Sequence, residues 1–237
     1  MKRKASPSIT SPDVIVRTKT KGKNPMKMFK LSAAVALAAT AMISHSSATT
    51  IYTSQAAFLA HTQPGSYLET FDSLPQFTPL NSPLSFSKNG FSYTASAPST
   101  DNQFFNAGTV GDVWLSTFDH STNIVFDFTS NNVTAVGGNF FLTDIPGNVV
   151  PGMITVTLDN GTTFSVSDPS ANSFVGFTTS SPIHSLTFTP PASGANEVFA
   201  TVNNFITGAS VPESGSTLPL IGIGLASLGL LRRKLVA

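Results

Sequence analysis

The sequence contains no cysteine, so neither disulfide bonds nor thiolate metal sites can hold its fold together. Basic residues are almost absent from the middle of the chain: between Thr49 and Ser210, Lys88 is the only one, whereas ten residues are acidic. One positive and ten negative charges give this segment a formal charge of −9. Phosphate binding requires clustered Lys and Arg, so this acidic region is not expected to bind nucleic acid.

The N-terminal segment is typical of an export signal. Residues 1–25 are polar and basic, and we interpret them as a disordered extension or as the product of a misassigned start codon. From Met26, a lysine-containing start leads into an apolar, alanine-rich run that is too short to span a bilayer. Ser46 and Ala48 place small residues at the −3 and −1 positions, as signal peptidase requires. The pattern predicts a signal peptide over residues 26–48, with cleavage between Ala48 and Thr49.

The C-terminal segment has the order of a membrane anchor. An apolar run over residues 218–231 is followed by the basic cluster Arg232, Arg233 and Lys234. At a rise of about 1.5 Å per residue, the run covers roughly 21 Å of a hydrocarbon core that is about 30 Å thick. We therefore predict a single, marginal transmembrane helix. By the positive-inside rule, the basic cluster stays in the cytoplasm and the acidic middle region lies on the other side.

A short polar motif directly precedes this helix, namely Val211, Pro212, Glu213, Ser214 and Gly215. Motif, helix and basic end together resemble the PEP-CTERM sorting signal over residues 211–235, in the variant written Val-Pro-Asp-Ser-Gly. The resemblance implies that an exosortase processes the tail, in addition to the signal peptidase. It also implies a protein that is exported, transiently anchored in the membrane, and then cell-surface or extracellular. An ordinary C-terminal membrane anchor is the alternative.

Residues 49–208 are dense in Thr, Ser, Val, Ile and Phe, and turn-forming residues recur every eight to twelve positions or so. This pattern predicts an all-β sandwich or barrel with one short helix, over Ser54–His61, capped by Ser54. The predicted strands are Thr49–Thr53, Tyr67–Phe71, Leu84–Ser87, Phe91–Ala95, Val113–Phe118, Asn123–Thr129, Val133–Thr143, Ile154–Leu158, Thr162–Ser167, Ser173–Thr178, Ile183–Thr189 and Glu197–Ile206. The stretch from Val133 to Gly208 resembles domains found ahead of PEP-CTERM tails, which implies a jelly-roll-like sandwich without a common activity.

The segment from Ile154 to Val166 predicts a hairpin. A two-residue turn at Asn160 and Gly161 would send the apolar residues of the two strands to opposite faces. A three-residue loop with Gly161 in a left-handed bulge instead pairs Val156 with Phe164 and directs the apolar side chains to one core.

Catalytic constellations are not recognisable in the sequence. His61, His120 and His184 are isolated, and neither a Gly-x-Ser-x-Gly elbow nor a His-Glu-x-x-His helix occurs. We therefore expect a protein that is not an enzyme and needs no cofactor.

Two weaker binding hypotheses remain. Calcium would find oxygen ligands at the loops, and the candidates are Asp101, Asn102, Asp112, Asp144 and Asn204. A sugar could stack on aromatic residues, and the candidates are Trp114, Phe104, Phe105 and Tyr93. A single tryptophan on a strand is more often part of a core.

Three functional hypotheses follow, in order of preference. The first is a structural or adhesive β-sandwich of the cell envelope or extracellular matrix. The second is a carbohydrate-binding module with calcium-stabilised loops and a polysaccharide partner. The third is an exported glycan hydrolase. An exposed strip of aromatic side chains would favour the second, and two opposed carboxylates in a cleft would favour the third.

Overall fold

The computed structural model describes residues 48–192 and 197–212. Within these residues the chain forms fifteen strands and one short helix, α1 (Gln55–Ala60). The strands are β1 (Thr49–Tyr52), β2 (Tyr67–Glu69), β3 (Pro79–Asn81), β4 (Leu84–Lys88), β5 (Phe91–Ser96), β6 (Gln103–Thr109), β7 (Asp112–Thr117), β8 (Ile124–Phe128), β9 (Ala135–Thr143), β10 (Val149–Val150), β11 (Met153–Leu158), β12 (Thr163–Ser167), β13 (Phe174–Thr179), β14 (Ser185–Thr189) and β15 (Phe199–Gly208).

The strands form two antiparallel sheets. The larger sheet has nine strands: the order is β1-β13-β9-β15-β7-β6-β3, with β10 paired to β9 and β2 paired to β15. The smaller sheet has six strands in the order β12-β11-β14-β8-β5-β4. This arrangement confirms the predicted all-β class.

The two sheets pack face to face as a sandwich, and the main core lies between them. Phe126 of the smaller sheet stacks on Phe205 of the larger sheet, with ring centroids 4.0 Å apart. Tyr93 contacts Phe205 edge-on at 5.1 Å. Strands of the smaller sheet alternate between buried and solvent-facing positions, as predicted for Ile124, Phe126 and Phe128.

The larger sheet is also covered on its outer face, the face that points away from the smaller sheet. Strand β9 is buried at every position, so both of its faces are packed. At one end, Phe58 of α1 packs on Phe174 with ring centroids 5.4 Å apart. Gly137 and Gly176 are paired beneath these rings, and a Cβ on Gly176 would lie 2.7 Å from Phe58. Two glycines therefore make room for the helix.

The hairpin predicted from Asp-Asn-Gly is confirmed. Val156 pairs with Phe164 and Ile154 with Val166, and Gly161 has a φ of 84°. Its amide donates to the carbonyl of Leu158, which closes the turn. The apolar residues of both strands pack on the main core.

Some local predictions differ from the structure. The helix is shorter than predicted, and the Ser54 side chain makes no capping hydrogen bond; its carbonyl accepts from the Phe58 amide instead. Three strands were not predicted, namely β3, β6 and β10. Strand β6 was not recognised because two successive phenylalanines, followed by an asparagine, interrupt the alternation of apolar and polar residues that indicates a strand.

The predicted export and anchoring segments fall largely outside the described residues. Residues 1–47, the helix over 218–231 and the basic cluster all belong to that part of the chain. Of the helices that residues 48–192 and 197–212 contain, none has the length and apolar character needed to cross a membrane.

Candidate functional site

A cleft of about 360 Å³ opens on the outer face of the larger sheet, at the end where β9 finishes and β15 begins. We call it the aromatic cleft. It is lined by Phe77, Phe105, Ala107, Ser116, Thr117, Phe118, Thr143, Asp144, Ile145, Pro146, Gly147 and Phe199. Neighbouring positions on the same strands, such as Phe104, Leu115, Leu142 and Ala200, face the main core. The alternation of side chains along a strand thus separates the core from the cleft.

Three phenylalanine rings form a continuous wall of the aromatic cleft. The ring centroid of Phe105 lies 6.3 Å from that of Phe77 and 6.3 Å from that of Phe118. Phe77 is 57% exposed and Phe118 is 37% exposed, which is unusual for phenylalanine. The half-buried Phe199 adds a fourth ring. Such open aromatic surface at a concave site is typical of ligand binding.

Phe77 is held in a strained backbone conformation. Its φ is 52°, in the left-handed region, which costs a bulky L-residue roughly 1–2 kcal/mol. Two hydrogen bonds to β6 fix the segment: the Phe77 amide donates to the Asn106 carbonyl at 3.1 Å, and Gln76 Nε2 donates to the Gly108 carbonyl at 2.9 Å. Strained residues that are both exposed and held in place occur preferentially at functional sites.

The floor of the aromatic cleft includes two buried hydroxyl groups, those of Ser116 and Thr143, which are joined through Thr201 beneath it. Thr201 Oγ1 lies 2.9 Å from Ser116 Oγ and 2.8 Å from Thr143 Oγ1. All three side chains are buried, and they stand side by side on β7, β15 and β9. Hydroxyl groups both donate and accept hydrogen bonds, so the floor complements a polar ligand with hydroxyls of its own.

Thr117 is among the lining residues, but it pairs with the core-facing Phe104 and lies two residues after the core-facing Leu115, so its side chain faces the core side of the sheet. The residue is 1% exposed, and within the described part of the chain its Oγ1 has no hydrogen-bond partner. A buried hydroxyl without a partner costs about 1–3 kcal/mol.

The turn from Asp144 to Asn148 forms one rim of the aromatic cleft. Both carboxylate oxygens of Asp144 accept hydrogen bonds from Asn148, one from its amide at 2.7 Å and one from its side chain at 3.1 Å. Ile145 projects from this turn and is 69% exposed. Asp144 therefore shapes the turn, and among the residues that the structure describes it is the only ionisable one that lines the cleft.

A second cleft, of about 460 Å³, lies on the other side of the same turn. Asp144 and Glu197 both line it, so it contains two carboxylates. Both oxygens of Asp144 accept hydrogen bonds from Asn148, so this carboxylate is part of the turn.

The residues predicted as a sugar platform are divided between core and surface. Tyr93 and Phe104 are 1% and 0% exposed and belong to the main core. Trp114 is half-buried on the outer face, where it contacts Phe141 edge-on at 5.0 Å. Only Phe105 of the four lines the aromatic cleft. The platform as predicted is therefore wrong, and different aromatic residues form the exposed surface.

The five candidate calcium ligands are spread over several loops and strand ends. The Asp112 carboxylate accepts from Asn203, next to Asn204 at a bulge of β15. Asp101 and Asn102 precede β6, and Asn102 donates to the Ser82 carbonyl. In residues 48–192 and 197–212, no group of three His, Cys, Asp or Glu side chains could hold a metal ion. Calcium binding stays a prediction.

The predicted processing sites border the fold. The Ala48 carbonyl accepts from the Ser180 amide at 3.3 Å, and Thr49 is the first residue of β1. Val211 and Pro212 are exposed, and the Val211 amide donates to the His61 carbonyl. Glu213, Ser214, Gly215, Arg232, Arg233 and Lys234 lie outside the described residues.

The chain leaves the described fold at the end opposite to the aromatic cleft. Thr134 directly precedes β9; its side chain accepts from the Ser210 amide, and its carbonyl accepts from the Thr179 amide beside Ala48. Thr143, at the other end of β9, lines the cleft. A nine-residue strand spans about 27 Å, so the cleft and the two exits are separated by the length of the sandwich.

Comparisons with known proteins leave the family open. No protein-family model matches the chain, and no curated protein is detectably similar to it in sequence. Among solved structures, it resembles an exo-β-1,3-galactanase from Phanerochaete chrysosporium with galactose, at 17% identity and a TM-score of 0.30. The match covers 54% of this chain and 30% of the galactanase chain. A likeness this weak carries no argument about function.

Proposed function

We propose that this protein is an exported adhesive β-sandwich of the cell envelope, and that it binds carbohydrate in the aromatic cleft. The observation that carries the proposal is the wall formed by Phe77, Phe105 and Phe118 above a floor of hydroxyl groups. A sugar ring has apolar C–H faces that stack on aromatic rings and hydroxyls at its edge that form hydrogen bonds. The cleft offers both kinds of contact within one site.

Export is supported by the sequence at both ends of the domain. A signal peptide over residues 26–48 and a PEP-CTERM-like tail over residues 211–235 would give the domain one orientation across the membrane. Signal peptidase and an exosortase are the processing partners in this proposal. Because the chain leaves the fold at the end away from the aromatic cleft, a tethered domain could still reach an external polysaccharide.

The carbohydrate proposal is tested by comparing two exposed apolar residues. Phe118→Ala removes a ring of the cleft wall, whereas Leu68→Ala removes a side chain that is 43% exposed on β2, away from the cleft. Purified protein and both variants are tested for retention by a panel of insoluble and soluble polysaccharides. We expect the wild type to bind at least one polysaccharide, Phe118→Ala to bind about tenfold more weakly, equivalent to about 1.4 kcal/mol, and Leu68→Ala to bind normally.

Two results would contradict the carbohydrate proposal. The first is that the wild-type protein binds no polysaccharide in the panel. The second is an equal loss of binding in Leu68→Ala and Phe118→Ala, which would show that nonspecific adsorption through exposed apolar side chains, rather than the aromatic cleft, causes retention.

Anchoring is tested by truncation before Val211. This residue is exposed, and its amide donates a hydrogen bond to the His61 carbonyl, so its removal leaves the core intact. We expect the truncated protein to be folded and released into the medium, as measured by cell fractionation and circular dichroism. Retention of the truncated, signal-cleaved protein in the membrane fraction would contradict the anchor.

A further inference from the structure

We infer that strand β12 is a self-association surface, through which two copies of this domain pair edge to edge and join their smaller sheets. The inference goes beyond carbohydrate binding and does not depend on it. It rests on three properties of β12, which are the direction of its outward backbone groups, its half-buried apolar side chains and its uncharged sequence. The partner is a second copy because the strand is complementary to itself when it pairs antiparallel.

Strand β12 lies at one edge of the smaller sheet, and β11 is its partner within the described part of the chain. Hydrogen bonds at both ends of this hairpin fix which residues face β11: the Leu158 amide donates to the Thr162 carbonyl, and the Asp168 amide donates to the Gly152 carbonyl. Because bonded and non-bonded pairs alternate in an antiparallel ladder, the even-numbered residues of β12 bond to β11. The amides and carbonyls of the odd-numbered residues point outward, and these residues are Thr163, Ser165 and Ser167.

Side-chain contacts across the hairpin agree with this assignment. The paired residues Thr155 and Ser165 have hydroxyl oxygens 3.0 Å apart, and those of the pair Thr157 and Thr163 are 3.3 Å apart. Side chains approach more closely across non-hydrogen-bonded pairs than across hydrogen-bonded ones. Thr163 and Ser165 are therefore non-bonded positions relative to β11, and their backbone groups are directed to the edge.

The sequence of β12 lacks the features that protect sheet edges from pairing with another chain. Natural edges are blocked by charged side chains, by proline or by very short strands. At the other edge of the smaller sheet, β4 ends in Lys88 and follows Pro83; at one edge of the larger sheet, β3 has three residues and begins with Pro79. Strand β12 has five residues, with the sequence Thr-Phe-Ser-Val-Ser. Its edge is therefore suited to accept a further strand.

An antiparallel pair of β12 strands centred on Ser165 satisfies every outward backbone group. Ser165 lies opposite Ser165 of the second copy, and each Thr163 lies opposite Ser167 of the other strand. Each of these three pairs exchanges two backbone hydrogen bonds, so that about six bonds form. On the inner face, each Phe164 lies opposite Val166 of the other strand, within cross-strand contact distance.

Apolar side chains and charges both fit this register. Phe164 and Val166 are half-buried and pack against the main core, and in the paired form each covers part of the other's exposed surface. Asp168, which follows β12 in the sequence, falls opposite Thr162 of the second copy, so like charges are not opposed. Its Oδ1 is also engaged by the Gly152 amide at 3.1 Å.

Pairing through β12 leaves the aromatic cleft open. The strands that line the cleft are β6, β7, β9 and β15 of the larger sheet, whereas β12 is an edge strand of the smaller sheet. Two paired domains would present two clefts to one polysaccharide, which strengthens attachment because the second contact is intramolecular.

Self-association is tested on a domain that spans residues 49–212 and contains every described strand. One strand pair is a small interface, so we expect a weak dimer that forms as the protein concentration rises. Sedimentation velocity over a series that extends to millimolar protein should show monomer first and then dimer, because the two β12 edges close on each other. Monomer at every concentration, or growth beyond the dimer, overturns the inference and leaves carbohydrate binding untouched.

Hydrogen exchange locates the interface. The amides of Thr163, Ser165 and Ser167 should exchange about tenfold more slowly when the dimer predominates. The amides of Ser85 and Ser87 also point outward, on β4 at the opposite edge, because the Thr129 amide bonds to the Ser92 carbonyl and fixes the alternation there. Their exchange should not change. A dimer that protects β4 or another surface instead of β12 overturns the inference.

Matched variants separate pairing from folding. Ser165→Pro removes the central outward amide of β12, and Ser85→Pro removes an outward amide of β4; proline is tolerated at edge positions whose N–H faces solvent. We expect at least tenfold weaker dimerisation in Ser165→Pro and wild-type dimerisation in Ser85→Pro, with urea denaturation confirming that both are folded. A folded Ser165→Pro variant that dimerises normally overturns the inference, and so does an equal loss in both variants.

A second pair of variants leaves the backbone free and tests the same contact. Ser165→Lys brings two positive charges together where the copies meet, and Ser85→Lys adds the same charge at the opposite edge. We expect at least tenfold weaker dimerisation in Ser165→Lys alone. Wild-type dimerisation of Ser165→Lys overturns the inference, and this pair decides the question if Ser165→Pro does not fold.

Discussion

The ring of Phe105 on β6 lies beside that of Phe118, which directly follows β7, with centroids 6.3 Å apart and planes inclined at 62°. Both are directed away from the main core, although phenylalanine is usually buried. The same face carries the buried hydroxyls of Ser116, Thr143 and Thr201. Exposed aromatic rings and hydroxyl groups therefore lie together at one end of the sandwich. This end is the proposed carbohydrate-binding site.

Replacing a core phenylalanine should lower the free energy of unfolding much more than replacing a phenylalanine of the aromatic cleft. Phe205 stacks on Phe126 at 4.0 Å and contacts Tyr93 at 5.1 Å. Phe205→Ala should lower the free energy of unfolding by about 3–5 kcal/mol, because it leaves a cavity between the sheets. Phe118→Ala should cost less than about 1 kcal/mol, because the side chain is already partly exposed. Urea denaturation of both variants measures the difference; similar losses would contradict the separation of core from cleft.

The glycine pair beneath the helix should resist any added side chain. A Cβ on Gly137 would lie 2.7 Å from the ring of Phe174 and 3.0 Å from the backbone of Gly176. Gly137→Ala should therefore lower the free energy of unfolding by about 1–3 kcal/mol. In a Phe174→Ala background the same substitution should cost less, because the ring is gone. Equal costs in the two backgrounds, measured by urea denaturation, would show that the ring is not the obstacle.

Alkaline pH should destabilise the fold through its buried tyrosines. Burial, followed by the hydrogen bond to Glu69 and the charge of that carboxylate, raises the pKa of Tyr67 well above its usual value of 10.0. Burial likewise raises the pKa of Tyr93. A raised folded-state pKa means that the stabilising contribution is complete below pH about 10 and is lost as the pH rises further.

This pH dependence is measured as the urea midpoint between pH 8 and pH 11. The midpoint should be nearly constant up to pH about 10 and should fall above it. Tyr67→Phe should reduce the fall, because one of the two raised groups is removed. An unchanged alkaline slope in this variant would contradict the role assigned to Tyr67.

Tyr93→Phe should have little effect on stability at neutral pH or should raise it. The Tyr93 hydroxyl is buried and has no hydrogen-bond partner among the described residues, so its removal breaks no bond and relieves a desolvation cost. The ring contacts with Phe86 and Phe205 are retained. A loss of more than about 1 kcal/mol in urea denaturation would indicate that this hydroxyl has a partner.

The sequence correctly predicted the parts of the fold that are determined by residues close together in the chain. The hairpin from Ile154 to Val166 was predicted in the correct register, because the face of each apolar residue allows only one loop length. Strand β6 was not predicted. Its inward-facing Asn106 is fully buried and donates to the Pro75 carbonyl, so a tertiary contact satisfies a residue that is typical of a turn.

The aromatic cleft could not be predicted from sequence patterns. Its wall combines Phe77 from a loop, Phe105 from β6 and Phe118 from the residue after β7, and the protein has nineteen phenylalanines. Sequence alone does not distinguish the exposed ones from the buried ones when two are adjacent, as in Phe104 and Phe105. The sequence predicted that a sugar could stack on aromatic side chains, and Phe105 is the residue that this prediction shares with the cleft.

The most direct test of the account is an NMR titration that locates the ligand on the protein. Isotope-labelled protein is titrated with a neutral oligosaccharide selected from the binding panel, and the amide shifts are followed residue by residue. We expect amide shifts confined to Phe77, the facing ends of β6 and β7, and the turn from Asp144 to Asn148. Shifts confined to the smaller sheet, or none at saturating ligand, would contradict the assignment of the aromatic cleft as the carbohydrate site.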